Sequence, residues 1–231
     1  MAGLGTAELA RMVHQLVGIA ERRFGSSRSR LAAAASSPEF IGVFAADEIP
    51  TQSSEHSVCF IANTDPSTLP GTHWVAFVIF NNAVGAHSHT TYFFDSYGLP
   101  LSYYSRLHSE CAQREYTNVR LVNTQQLQSI HSTVCGQYCA LFLFFVHRFK
   151  SAVLAARALR DLANSVGRRD KVVISYINRL QPSQHVCSDA SVWTLTGSQL
   201  TPNSENASGT PCCVTQCCCA RARCSQCLMC Q

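Results

Sequence analysis

HSTVCGQYCALFLFFVHRFK, residues 131–150, is the stretch whose reading decides the fold. Cys135 and Gly136 follow a polar run and lead into Leu141-Phe142-Leu143-Phe144-Phe145-Val146, which is too apolar to lie on a surface. The pattern predicts a buried helix with Cys135 in its N-terminal turn. A thiol placed there faces unpaired backbone N–H groups and the positive end of the helix dipole, so its thiolate is favoured and its pKa falls. The same N–H groups can hold an oxyanion if the sulfur attacks a carbonyl. Taken alone, the stretch leaves an inert buried cysteine equally open.

Upstream, the apolar run from His73 to Phe80 predicts a central strand with His73 at its start and Trp74 beside it. Residues 81–89 form a polar connection, and Thr90-Thr91-Tyr92-Phe93-Phe94 predicts a second strand ending at Asp95-Ser96-Tyr97-Gly98. Strands joined in this way run antiparallel as neighbours, so the start of one lies beside the end of the other. His73 and Asp95 are thereby brought together. Nucleophilic acyl transfer needs a thiol, an imidazole to hold its proton, and an acceptor for the other ring nitrogen. Cys135, His73 and Asp95 can fill those roles, and Gln128 can add an N–H donor to the oxyanion site beside the backbone of Cys135. Each has a bland alternative: a surface histidine, a turn-capping aspartate, one of several neighbouring glutamines, a core tryptophan.

The rest of the chain supplies ordinary elements. Apolar residues at helical spacing predict a one-sided surface helix over Thr6–Phe24, followed by a polar break at residues 25–30. Residues 40–44 and 57–63 read as extended segments, and Val119–Val122 as a short strand. Helices are expected over Leu101–Cys111, with Tyr104, Leu107, His108 and Cys111 on one side, over Ala152–Ala163, and over Lys171–Leu180 before Pro182.

With 231 residues, 46% of them hydrophobic and 14% charged, the chain suits one folded domain with a small appendage. No apolar run reaches a membrane-spanning length, and Glu8, Arg11 and His14 interrupt any secretory signal, so a reducing compartment is expected. The formal charge of +4 permits a nucleic-acid partner without requiring one. Thirteen cysteines are unevenly spread, eight of them in the last twenty residues. Cys224, Cys227 and Cys230 have a spacing that could bind zinc, but no second separated pair and no tail histidine completes a site.

The motifs converge on one likeness. Gly71-Thr72-His73-Trp74-Val75-Ala76-Phe77, Phe93-Phe94-Asp95-Ser96-Tyr97-Gly98, and Gln128 with Cys135-Gly136-Gln137-Tyr138-Cys139 resemble the adenovirus-type maturation protease over roughly Ala35 to Leu180. The likeness points to the branch found in adintoviruses and other large DNA elements of the Maverick kind. The proteases of SUMO and ubiquitin-like proteins are more distantly similar; they generally hold the glutamine one residue nearer the cysteine than the seven-residue step from Gln128 to Cys135. The acid here is Asp95, where adenovirus has a glutamate.

The resemblance implies an α+β cysteine peptidase: a mixed central sheet flanked by helices, with the catalytic cysteine on the central helix. Cys135 would be the nucleophile, His73 the base and then acid, Asp95 its orienter, and Gln128 the oxyanion donor. Trp74 and Gly136 would belong to the substrate cleft. Substrates would be viral precursor proteins cut beside small residues, such as Gly-Gly or Gly-X, in the virion or the host nucleus or cytoplasm. The chemistry would need no cofactor. A capsid-derived activating peptide, with Cys111 as a candidate for a disulfide to it, and viral DNA are the partners implied, for a monomeric enzyme. The boundaries expected are 1–30 for the helix and polar break, 31–190 for the protease domain, 191–211 for a polar linker and 212–231 for a disordered cysteine-rich tail. An isopeptidase acting on ubiquitin-like modifiers is the alternative enzyme; a zinc-binding or catalytically inactive interaction protein is the alternative outside that class.

Overall fold

Residues 59–62, 75–79 and 93–94 are buried on both sides of a sheet, which is why they read as continuous apolar runs rather than as alternating ones. The computed structural model describes residues 3–24, 37–51, 56–81, 89–116, 118–164 and 169–181. The polar linker 191–211 and the tail 212–231, with Cys224, Cys227 and Cys230, lie outside these residues.

Among the described residues, five strands lie side by side in chain order: β1 (Glu39–Phe44), β2 (Val58–Asn63), β3 (Trp74–Asn81), β4 (His89–Phe94) and β5 (Val119–Leu121). The central pairs are antiparallel and the two outer pairs parallel, so the sheet is mixed. This is the α+β architecture that the resemblance implies. Successive side chains point to opposite faces. Cys59, Ile61, Ala76, Val78 and Phe94 face one core, while Phe60, Ala62, Val75, Phe77, Ile79 and Phe93 face the other.

The larger core is closed by helices α1 (Thr6–Phe24), α3 (Cys135–Phe149), α4 (Ala152–Asn164) and α5 (Arg169–Leu180). α1 shows its apolar stripe to α3 through Leu9, Val13, Leu16 and Val17. α3 is buried nearly all round, as its composition requires, and Phe142 stacks on Phe94 of the sheet with ring centroids 4.4 Å apart. The helix ends at Lys150, which adopts a left-handed conformation and returns its N–H to the Val146 carbonyl. The smaller core is covered by α2 (Ser105–Gln113) and the turn Ala46–Glu48. α2 starts later than its sequence suggests, because a single tighter turn at Leu101–Tyr103 follows Pro100. Leu107 and Cys111 point inward, but His108 is exposed.

One polar group sits deep in the larger core. His147 is 1% exposed, with Nε2 3.8 Å from the Cys59 sulfur and Nδ1 3.6 Å from Glu21 Oε1. Burial, and then the charge of Lys150, holds its pKa down to about 4.

Two outcomes follow for stability. Phe142→Ala removes a fully buried ring and is expected to lower the unfolding free energy by about 3–5 kcal/mol, measured by urea denaturation. A histidine that titrates lower when folded takes up its proton in the unfolded chain first, so its stabilisation is complete above the ordinary value near 6.5 and is lost as pH falls toward about 4. Unfolding free energies compared at pH 7 and pH 5 should show a drop of about 2 kcal/mol from this source. His147→Gln, whatever its effect at pH 7, should flatten that drop.

Candidate active site

His73 lies one residue before β3, outside the ladder, where its carbonyl accepts the Thr64 N–H at 2.9 Å. Asp95 lies one residue beyond β4. The antiparallel register that pairs Ala76 with Phe94 sets these two ends side by side, and His73 Nε2 meets Asp95 Oδ1 at 2.6 Å. Asp95 is wholly buried, and its charge is met by donors on both oxygens. The Tyr97 N–H joins His73 on Oδ1 at 3.2 Å, while the Leu99 N–H and the Tyr104 hydroxyl reach Oδ2 at 2.8 and 3.1 Å. The Asn123 amide donates to the Asp95 carbonyl at 2.7 Å and so fixes the backbone. Tyr97 and Tyr104 stack on the His73 ring with centroids 4.8 and 5.7 Å away.

With Nε2 committed to Asp95, Nδ1 of His73 is left to act on the Cys135 thiol. Cys135 is the first residue of α3, and no side chain caps that end. Its free N–H groups are thus available to the sulfur. Burial works against the thiolate, but the hydrogen bond and charge of His73, then the backbone N–H groups of Trp74 and Gly136, outweigh it and hold the Cys135 pKa below the ordinary thiol value. Burial likewise opposes charge on His73. The hydrogen bonds to Asp95 and Cys135 and their negative charges overcome it and push the pKa up to about 9. Both shifts run in the direction that favours thiolate on Cys135 and imidazolium on His73.

Gln128 sits on the loop before α3, 1% exposed. Its Nε2 donates to the Ser132 carbonyl at 2.8 Å and to the Tyr97 hydroxyl at 3.3 Å, while its Oε1 accepts from Ser96 Oγ at 2.7 Å. The loop is sewn to the turn after β4, since the Ser96 carbonyl accepts the N–H groups of both Leu127 and Gln128. Gly98 permits this approach. Its φ of 73° suits glycine, and a Cβ there would stand 2.8 Å from the Gln125 backbone. Cys135, Gln128, Tyr97 and Trp74 open on a cleft of about 570 Å³, whose far walls are Gly3–Thr6 and the loop Asp65–Thr72.

A sequence model of the adenovirus endoprotease family matches residues 40–187. The chain belongs to that family. A protease of porcine adenovirus A serotype 3 is 31% identical over 140 residues, covering 56% of this chain and 66% of that protein. The chain thus spans just under two thirds of that relative's length. Among solved structures, an ASFV protease has 21% identity and a TM-score of 0.31, covering 54% of this chain and 44% of its own. A de-sumoylating protease has 12% identity and a TM-score of 0.39, covering 77% and 74%. The family assignment rests on the sequence match.

Within this family member, the structure places the remaining sequence candidates as follows. Trp74 borders the cleft and donates from Nε1 to the Leu4 carbonyl at 3.3 Å. Gly136 does not line the cleft. It is buried in the first turn of α3, where a Cβ would come within 3.3 Å of Leu9 and 3.4 Å of Trp74, so its bareness lets α1 and Trp74 close over the helix. Cys111 is 1% exposed on α2, and burial pushes its thiol up to about 12. Cys139, one turn below Cys135, donates to the Trp74 carbonyl at 3.3 Å and stays a thiol because burial raises its pKa. Ser96, Tyr97, Tyr104 and Asn123 were not picked out from sequence. Ser96 and Tyr97 adjoin Asp95 and could have been found there, whereas Tyr104 and Asn123 carry no local signal.

Iodoacetamide at pH 7, followed by peptide mapping, should label Cys135 well before Cys59, Cys111 and Cys139, whose thiols burial keeps protonated. In His73→Ala the Cys135 rate should collapse toward theirs.

Proposed function

We propose that the chain is a cysteine endopeptidase that cuts viral precursor proteins beside small residues. The observation that carries this reading is the Cys135–His73–Asp95 relay. A thiol at a helix N-terminus, its pKa held down, faces an imidazole that a buried carboxylate orients at 2.6 Å. Cys135 Sγ adds to the scissile carbonyl, and the electron pair of the C=O bond moves onto oxygen. The Cys135 N–H at the start of α3 is the backbone donor to that oxygen, while both Nε2 hydrogens of Gln128, the side-chain donor the sequence points to, are engaged by the Ser132 carbonyl and the Tyr97 hydroxyl. When the C–N bond breaks, His73 gives its Nδ1 proton to the departing amine. A water then attacks the thioester with His73 as base, which releases the acid and restores the thiolate. Asp95 keeps the ring in place throughout.

The preference for small residues belongs to the family resemblance, and Trp74 and Gly71 stand in the wall of the cleft that such a substrate would pass. The setting we infer is the virion or the infected cell, in nucleus or cytoplasm. An activating capsid-derived peptide and viral DNA belong to this reading as partners that would raise the basal rate. The buried, raised thiol of Cys111 does not favour it as their covalent anchor.

Purified chain and Cys135→Ala should be compared on a Gly-Gly-X peptide and on a thiol-reactive peptide ending in Gly-Gly. Labelling and cleavage that both vanish in the variant are the expected result. Cleavage of a folded ubiquitin-like modifier in place of the peptide would move the chain to the isopeptidases, and an unlabelled Cys135 would sink the reading. For the wild type, kcat/KM should fall in acid as the thiolate takes up a proton. It should also fall above about pH 9 as His73 loses the proton that the leaving amine needs.

A further inference from the structure

We propose that Tyr97 is a further catalytic residue, whose hydroxyl donates a hydrogen bond to the oxyanion formed when Cys135 adds to a substrate carbonyl; this rests on the peptidase reading above. Three observations meet at this side chain. First, Tyr97 is half-buried in the wall of the cleft that also exposes Cys135 and Gln128. Its position is fixed at both ends, by the ring stacked on His73 at 4.8 Å and by its N–H on Asp95 at 3.2 Å.

Second, the direction of its hydroxyl proton is constrained. The Ser132 carbonyl can only accept, so the group facing it at 2.8 Å is Nε2 of Gln128, and Oε1 faces Ser96 Oγ at 2.7 Å. Nε2 in turn can only donate, so the Tyr97 oxygen, 3.3 Å away, accepts. The proton of Tyr97 therefore points away from Gln128, and among the described residues no acceptor for it is recorded. With one N–H of Gln128 on Ser132 and the other on Tyr97, the phenol is the end of a donor chain that opens on the cleft. Each link polarises the next.

Third, the group stays a donor. Burial, and then the charges of Cys135, Asp95 and Asp170, raise the Tyr97 pKa, so the phenol keeps its proton over the working range. The step balances without a proton reaching the oxyanion. The Sγ–C bond forms as the carbonyl pair moves to oxygen, the phenol and the N–H groups stabilise it, and the pair returns as the C–N bond breaks.

The test is Tyr97→Phe, which keeps the ring against His73 and deletes only the hydroxyl. The expected result is a fall of about 10²-fold in kcat on the Gly-Gly-X peptide with KM little changed. A peptide aldehyde, which forms a tetrahedral adduct, should lose affinity in step. The rate of Cys135 alkylation by iodoacetamide, which passes through no oxyanion, should be unchanged. An undiminished kcat, or a kcat lost together with the alkylation rate, would overturn the role, the second because it would trace the damage to the His73 ion pair. Wild type separates the two ideas: if it fails to cleave, the peptidase reading fails and this one with it, whereas equal cleavage by wild type and Tyr97→Phe removes Tyr97 alone. Should Tyr97→Phe not fold, difluorotyrosine at position 97 keeps the ring and hydroxyl. Loss of kcat above the pH where that more acidic phenol ionises, with alkylation unaffected, supports the proposal, and an unaltered profile overturns it.

Discussion

A carboxylate with no exposure to water is tolerated only where donors replace its hydration, and Asp95 is the point on which this site hangs. Its two oxygens gather the His73 ring, two backbone N–H groups of the following turn and the Tyr104 hydroxyl. Those four bonds fix the histidine, shape the turn after β4 and pin the segment that leads into α2. The turn then reaches Gln128 through Ser96. His73 and Gln128 are thus parts of one hydrogen-bonded unit rather than independent side chains.

Environment, and not residue type, sets the chemistry. Among the described residues, cysteine and histidine face each other twice, Cys135 with His73 and Cys59 with His147. The first lies at a helix N-terminus beside a buried carboxylate, where the thiol is shifted down and the imidazole up, toward the charged pair. The second lies in the apolar core, where Cys59 and His147 are 0% and 1% exposed; burial drives the thiol up and the imidazole down, so both stay neutral. Glu21 reaches His147 only from a mostly exposed position at 3.6 Å. Without donors and a desolvated counter-charge, the same two residue types are packing.

Much of this was legible in the sequence because it depends on short-range pattern. The apolar run after Cys135 reads as a buried helix, the run at residues 73–80 as a central strand and residues 90–94 as its partner strand. A connection short enough to force an antiparallel pair is sufficient to set His73 beside Asp95. The start of α2 was less legible, since a tight turn at Leu101–Tyr103 precedes it and Tyr104, between the two, is drawn to Asp95 by a contact that no local pattern announces.

By itself, the sequence pointed to the helices and strands, to the pairing of β3 with β4 and to four candidate site residues, because periodicity, turn chemistry and the spacing of a few motifs are local properties; the sheet-and-helix class came with the resemblance. Only the tertiary structure decided what surrounds them. It sewed the Gln128 loop to the Ser96 turn, and it closed Leu9 and Trp74 over Gly136 rather than leaving that glycine to the substrate. It also placed Tyr97 between His73 and Gln128. Such contacts join residues that are close only because the sheet and α3 have packed, and a hydrogen bond across that packing has no period in the chain by which it could be read.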